Sequence, residues 1–384
     1  MRLRLAFAGD VMLGRGIDQI QRQSVPPELR EPAVSDARDY VRLAERASGP
    51  IPRDVDPDYV WGDAAQTLRE FAPHAFVLNL ETSFTRSDFF DPTKGIHYRA
   101  HPDNVRILTS VADPICAVAN NHVLDLGEEG LEETLTTLSH ASVPHCGAGK
   151  NSPQARRPAM VEVADRRDSR RGVLTEECAE HDARTCVVVL SCCVFTSGVA
   201  PGWGAGPDRP GVFLLDRLDA DAVRSLRDLA DRHRSAGDAV VVSIHWGGNW
   251  GYAVHPEEVE FAHALVDEGV ADVVHGHSSH HARPFEVYRG KPIFYGCGDL
   301  INDYEGIRGH ETYRPELTSI FLVTYDPDSR GLSDLRIAPF RLSRLRLAEA
   351  GPEDSRWIAE TMGNVNRLVN GPEVRATPDG LFIA

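Results

Sequence analysis

Six short apolar runs in this chain each end in side chains that bind metals or move protons. Leu3–Ala8 runs into Gly9-Asp10, Ala75–Asn79 into Asn79-Leu-Glu81, and Ile115–Ala119 into Asn120-Asn-His122. Ala239–His245 ends at His245 itself, Asp272–His275 continues as Gly-His277-Ser-Ser-His280-His, and Ile293–Tyr295 leads to Gly-Cys-Gly-Asp299 and Asp303. Short runs rich in Val, Ile and Phe, bounded by Gly, read as buried strands. Helical patterns alternate with them at about 64–71, 130–140, 216–236, 257–268 and 353–368, which predicts an α/β fold about a central sheet. The carboxyl ends of strands in such sheets converge on one crevice, where ligands bind. A single Asp after Gly is ordinary turn chemistry. Asp, Glu, Asn and His at six strand ends of one chain predict a metal or acid–base site.

No internal repeat or compositional break divides the 384 residues, so residues 1–384 read as one domain with two surface insertions. One is a polar, Pro-containing excursion at about 21–58, expected to border the site. The other is a charge-dense segment at 165–184, expected to be a solvated loop between strands. The net charge of −16, from 41 basic and 57 acidic side chains, argues against nucleic acid or a membrane surface as partner. Seven cysteines, two of them adjacent and none in a CxxC spacing, suit reduced structural thiols better than a disulfide framework. The apolar run at the N-terminus is too short for a signal segment and no long apolar stretch follows, so a cytoplasmic location is expected. Oligomeric state is not legible.

The chemistry of the strand-end residues narrows the site. No cysteine belongs to the set, so a thiolate metal site is not expected. Carboxylate, amide and imidazole donors suit Mg, Ca or Mn, or Zn and Fe where several His take part.

In order along the chain, Ala8-Gly-Asp10-Val-Met-Leu-Gly-Arg15, Asn79-Leu-Glu-Thr82, Asn120-Asn-His122-Val-Leu-Asp125, His245-Trp-Gly247, His275-Gly-His277-Ser-Ser-His280 and Gly298-Asp299-Leu-Ile-Asn-Asp303 resemble the CapA-like group of the calcineurin-type metallophosphoesterase superfamily. The resemblance spans roughly residues 3–306 and implies a two-sheet β-sandwich flanked by helices, with the site at the strand ends. It implies that Asp10 is a first-strand metal ligand, Asn121 the amide ligand, and His122 the histidine that follows it. His245 and His277 resemble the later histidine ligands. Asp125, three residues past His122, is placed to orient that imidazole.

The chain departs from the dinuclear phosphoesterase pattern at three points. Met12 stands where a histidine is usual, Asn79-Leu-Glu81 replaces a bridging aspartate, and the Gly-His-x-His block is stretched to His277-Ser-Ser-His280. The oxygen-rich remainder, Asp10, Glu81 and Asn121 with His245, suits one hard divalent cation (Ca, Mg or Mn before Zn) and no organic cofactor. The CapA-like group includes a lasso-peptide epimerase, and the resemblance implies a similar role here. The expected activity is inversion of the C-terminal Cα of a ribosomally made precursor peptide, with one base on each face. His122–Asp125 is the first expected pair. The second is one of His245, His275 or His277, with Asp10 or Asp303. Arg15 and Arg99 are expected to clamp the substrate carboxylate. Trp246 and Trp250, with Trp203 and Tyr252, form either an aromatic wall for a peptide side chain or packing between an insertion and the sheet. Two rival readings remain: a metal-dependent hydrolase of phosphoester or γ-glutamyl/isopeptide bonds, and a non-catalytic protein of capsule-polymer assembly.

Overall fold

The computed structural model describes residues 1–163, 185–377 and 380–383. The charge-dense segment at 165–184 lies outside the described residues. The principal strands are β1 (Leu3–Val11), β2 (Ala75–Leu80), β3 (Pro114–Ala117), β4 (Cys186–Val194), β5 (Ala239–His245), β6 (Val273–His277), β7 (Lys291–Phe294), β8 (Asp299–Ile301), β9 (Leu317–Asp326) and β10 (Gly331–Leu342). The longer helices are α1 (Arg38–Ser48), α2 (Ala64–Phe71), α3 (Gly127–His140), α4 (Ala220–His233), α5 (Pro256–Asp267) and α6 (Pro352–Asn366).

Two sheets carry these strands. The first runs β10-β9-β1-β2-β3, with β1, β2 and β3 parallel, β9 antiparallel to β1, and β10 antiparallel to β9. The second runs β4-β5-β6-β7, all parallel. Alternation along each strand decides which layer a side chain joins. On β1, Leu3, Leu5 and Phe7 meet Val241, Val273, Phe294 and Phe321 between the sheets. Ala6 and Ala8 face the other way, into a cluster with Leu68 of α2 and Leu131 of α3. Val240, Val242 and Ile244 of β5 pack outward on Leu226 of α4 and on Phe261 and Leu265 of α5. The result is the two-sheet β-sandwich flanked by helices that the sequence resemblance implies. Strands buried on both faces read as continuous apolar runs, which is why they were visible in the sequence. Each buried Val, Leu or Phe contributes roughly 1.5–3 kcal/mol, so polar residues at the strand tips are carried to fixed positions.

β1 changes neighbour along its length. Leu3 to Phe7 pair with β9, whereas Asp10 and Val11 pair in parallel with Asp299 and Ile301 of β8. Gly9 permits the exchange, because a Cβ there would lie 1.7 Å from the Gly298 carbonyl oxygen. The Asp10 N–H then donates to that oxygen at 2.9 Å.

The 21–58 excursion is more than a surface crossing. Val41 and Ala44 of α1, with Ile51 and Val55, are buried in the cluster that also holds β1 residues. Its Tyr40 and Glu31 reach Arg15, close behind the strand tips. All six described cysteines are free and buried. Among the described residues no helix is long and apolar enough to cross a membrane.

Candidate metal centre

The tips of both sheets meet around Asp10. Register pairs Asp10 with Asn79 and with Asp299 in the first sheet, and His245 with His277 in the second. Ser278 follows with φ of +104°, a strained value for a residue with a Cβ. That kink turns the chain between His277 and His280. Ser278 is held by its hydroxyl, which donates to the Gly247 carbonyl at 3.2 Å.

Two groups of three side chains bring donor atoms within 4.8 Å of one another: Asp10 with His245 and His277, and Asp10 with His280 and Asp299. All five residues are buried, and Asp10 belongs to both groups. Asp10 Oδ1 accepts from Asn79 Nδ2 at 2.8 Å, while Oδ2 is buried with no hydrogen-bond partner among the described residues. An unpartnered buried carboxylate oxygen is costly. Burial, then the nearby Asp299, pushes the Asp10 carboxyl up to about 7. Burial and Asp10 hold Glu81 well above the usual carboxylate range. His245 Nδ1 and His277 Nδ1 lie 2.8 Å apart. Two nitrogens bound about 2 Å from one ion at a near-right angle stand roughly 3 Å apart. Crowded carboxylates, an orphaned oxygen and converging imidazoles fit a divalent cation.

His122 and Asp125 form the His–carboxylate pair that their spacing foretold, with Nδ1 2.6 Å from Oδ2. The Tyr98 N–H donates to the same oxygen at 2.8 Å, and Lys94 Nζ lies 3.4 Å from the other. Burial, then the Lys94 ammonium, holds His122 well below the ordinary imidazole range, so it is neutral. Burial raises Asp125 to about 6, against the pull of Lys94 and the Tyr98 N–H. His122 Nε2 is 3.6 Å from Glu81 Oε1. A second pair joins His280 Nδ1 to Asp299 Oδ1 at 2.9 Å, with Asn302 Nδ2 donating to Oδ2 at 2.8 Å. Burial opposes a proton on His280, but Asp299 outweighs it and raises the imidazole above its ordinary value.

Not every expected site residue arrives at this centre in the expected posture. Asp10, His245 and His277 share a donor group, with His277 among the metal donors rather than the bases. Asn121 sits at the rim, its Oδ1 3.1 Å from His245 Nε2, and Glu81 lies beside Asn79 and His122. His275 points away: Nε2 meets the Ala8 carbonyl at 2.9 Å and Nδ1 meets Ser243 Oγ at 3.0 Å, so both nitrogens are committed within the sandwich. Asp303 is taken by Arg15, whose guanidinium grips both its oxygens, and by the Gly16 N–H at 2.9 Å. Arg15 is thereby a buried brace, stacked 3.9 Å over the Tyr40 ring, rather than a clamp open to substrate. Arg99 ties Asp88 and the carbonyls of Ser87 and Pro26 together, away from both donor groups. Trp246 is fully buried under β6, its indole N–H donating to the Tyr295 carbonyl at 2.9 Å. Gly276 makes room for it, since a Cβ there would lie 2.6 Å from that indole nitrogen. Trp250 does border the centre, stacked 3.8 Å on His310 with its ring 5.4 Å from His280.

His280, Asp299 and Lys94 carry no individual role in the sequence reading, although the first two stand in its strand-end set. The first two had a signal, in the stretched His277-Ser-Ser-His280 block and the strand-end Asp299. Lys94 had none, lying in a polar loop far from any apolar run.

A probable polyglutamine synthesis accessory protein of Mycobacterium tuberculosis is 45% identical over 98% of this chain and 94% of that protein. The PGA biosynthesis protein CapA of Bacillus subtilis is 24% identical over 88% of this chain and 71% of its own length. Among solved structures, the calcineurin-like phosphoesterase YfkN of Bacillus subtilis aligns over 96% of this chain and all of that one, with 10% identity and a TM-score of 0.45. A phosphatase of Mycoplasma pneumoniae aligns over 92% and 96%, with 10% identity and a TM-score of 0.42. Residues 4–304, which hold both donor groups and the His122–Asp125 pair, match the bacterial capsule synthesis protein PGA_cap, and the chain belongs to that family.

Proposed function

We propose that this chain is a metal-dependent hydrolase that cuts amide bonds in a glutamate- or glutamine-rich polymer, with His122 and Asp125 as its acid–base pair. The observation that carries the reading is the 2.6 Å His122–Asp125 bond beside the Asp10-centred donor groups. The substrate class is supported by the mycobacterial relative, which is named for polyglutamine synthesis. Three imidazoles with two carboxylates favour a first-row transition ion over Ca or Mg, and the shared Asp10 leaves room for one ion or two. Such a cation supplies Lewis-acid polarisation of the scissile carbonyl.

The chain's own residues supply the proton transfers. Asp125 holds a proton on His122 Nδ1, which leaves the Nε2 lone pair facing the centre. Buried and neutral, His122 takes a proton from the attacking water at Nε2 as the C–O bond forms. It returns that proton to the leaving nitrogen as the C–N bond breaks. Trp250 and its stacked partner His310 form an aromatic stack beside His280, suited to lie against the polymer backbone.

A second reading is epimerisation at a peptide Cα, favoured by one observation. His122–Asp125 and His280–Asp299 are both within the centre, and a two-base inversion needs a base on each face of the substrate. One experiment separates the readings. Purified, cation-loaded protein is incubated in D₂O with γ-glutamyl, α-glutamyl and glutaminyl oligomers and with lasso precursor peptides, and products are read by mass spectrometry. Shortened oligomers, with a loss of about 10²–10⁴-fold in Asp125→Asn, support hydrolysis. Deuterium at Cα with unchanged length establishes epimerisation. No change in any substrate refutes both and leaves a non-catalytic assembly role.

A further inference from the structure

A chain of hydrogen bonds runs from the first strand to the metal centre through residues that neither donor group contains. His275 Nε2 is 2.9 Å from the Ala8 carbonyl oxygen, and His275 Nδ1 is 3.0 Å from Ser243 Oγ. Ser243 Oγ is 2.9 Å from His277 Nε2, and His277 Nδ1 faces His245 Nδ1 at 2.8 Å. Ser243, His275 and His277 are all buried from solvent. We propose that Ser243 and His275 are positioning residues that fix the tautomer of His277, so that its Nδ1 lone pair is always turned toward the cation. The inference rests on the reading that the Asp10 centre holds a divalent cation, but not on which reaction it serves.

The logic is one of donors and acceptors. A backbone carbonyl only accepts, so the His275 proton resides on Nε2 and Nδ1 is left as an acceptor. The Ser243 hydroxyl therefore donates to His275 Nδ1, and its oxygen accepts from His277. That requires the His277 proton on Nε2 and leaves Nδ1 bare. A metal-ligating imidazole is normally set in this way, by the hydrogen bond its other nitrogen makes. What is unusual is the length of the relay. The carbonyl that starts it belongs to Ala8, two residues before Asp10 on β1. A strand of the first sheet thus sets the ligand orientation of a histidine in the second.

A corollary concerns His245. With His277 Nδ1 bare and no ion present, the 2.8 Å contact requires a proton on His245 Nδ1. With a cation bound to both, that proton must leave Nδ1, and His245 then carries its proton on Nε2. The Asn121 side-chain amide, 3.1 Å from Nε2, serves both states by turning: Nδ2 donates to the bare Nε2 without the ion, and Oδ1 accepts from the Nε2–H with it. His245 switches tautomer on loading, and His277 does not.

Neutron diffraction from perdeuterated crystals, without metal and after loading with Zn²⁺ as the probe ion, reads these protons directly. The expected result is deuterium on Nε2 of both His275 and His277 in both states, and a move from Nδ1 to Nε2 on His245. Deuterium on His277 Nδ1 in the metal-free protein, or zinc at His277 Nε2, overturns the proposal. Zn²⁺ affinity by chelator competition gives a second readout. Ser243→Ala should weaken binding about 10–100-fold, while Ser243→Thr, which keeps the hydroxyl, stays within a few-fold of the parent. Equal affinity in a folded Ser243→Ala protein also overturns it. Should that variant not fold, the wild-type neutron maps decide alone. Because neither readout uses turnover, failure here is distinguishable from failure of the hydrolase reading.

Discussion

Replacing Arg15 by methionine should destabilise the protein severely while leaving its cation content unchanged. Arg15 and Asp303 are 2% and 1% exposed, so both charges are out of water and depend on each other. The guanidinium also donates to Glu31 at 3.2 Å and to the Tyr40 hydroxyl at 3.1 Å. Methionine fills much of the same space but strands Asp303 and Glu31 as buried carboxylates. Removing one partner of a buried ion pair costs roughly 3–5 kcal/mol. With an unfolding entropy of about 2.1 cal/mol/K per residue, a chain of 384 residues should lose about 4–6 °C in melting temperature. Scanning calorimetry measures it, and metal analysis of the same samples reads the centre. Adding Asp303→Asn should restore about half of the loss, because the amide is neutral and its oxygen can still accept from the Gly16 N–H. If Arg15 were a substrate clamp, Arg15→Met would raise KM and leave the melting temperature alone. A shift under about 1 °C refutes the buried-brace reasoning.

Four further outcomes follow from the geometry. Asp10→Ala should abolish cation retention, because Asp10 is common to both donor groups, whereas Asp303→Asn should not; metal content per chain checks both. Trp246→Ala should cost about 3–5 kcal/mol in denaturant unfolding with metal content intact, since the indole is core rather than substrate wall. Burial opposes the charge on Asp272, but the Lys291 ammonium, the Tyr325 hydroxyl and the Val240 N–H together hold its carboxyl below the usual value. A depressed carboxyl stabilises the fold above its unfolded pKa of about 3.9 and loses that contribution as pH falls through the folded value. Asp272→Asn should therefore lower the melting temperature at pH 7, with the difference from the parent shrinking as pH falls below the unfolded value and through the depressed folded one.

Much of this architecture could be read from residue order. The helix at 64–71 and the strand ending at His245 fall where apolar patterning put them, since their partners are the continuous apolar faces of the core. The His122–Asp125 pair was legible for a different reason, because both residues lie in one short turn and three-residue spacing alone brings them together. Within the 21–58 excursion the helical pattern at about 36–47 matches the helix Arg38–Ser48, but the burial of Val41, Ala44, Ile51 and Val55 was not legible because they are sparse among polar residues.

Residue order alone determined that Asp, Glu, Asn and His would gather at one edge of an α/β chain, since an apolar strand forces whatever follows it to the rim. It could not decide which of them face each other. His275 and His277 sit two apart on one strand with similar chemistry, yet one is locked to the Ala8 carbonyl and the other turned to Asp10. Asp303 and Asp299 are four apart, yet one neutralises Arg15 and the other holds His280. Those divisions come from residues far away in sequence, on the opposite sheet or across the core. A side chain's charge partner is set by which surfaces pack together, and only the tertiary structure decides that.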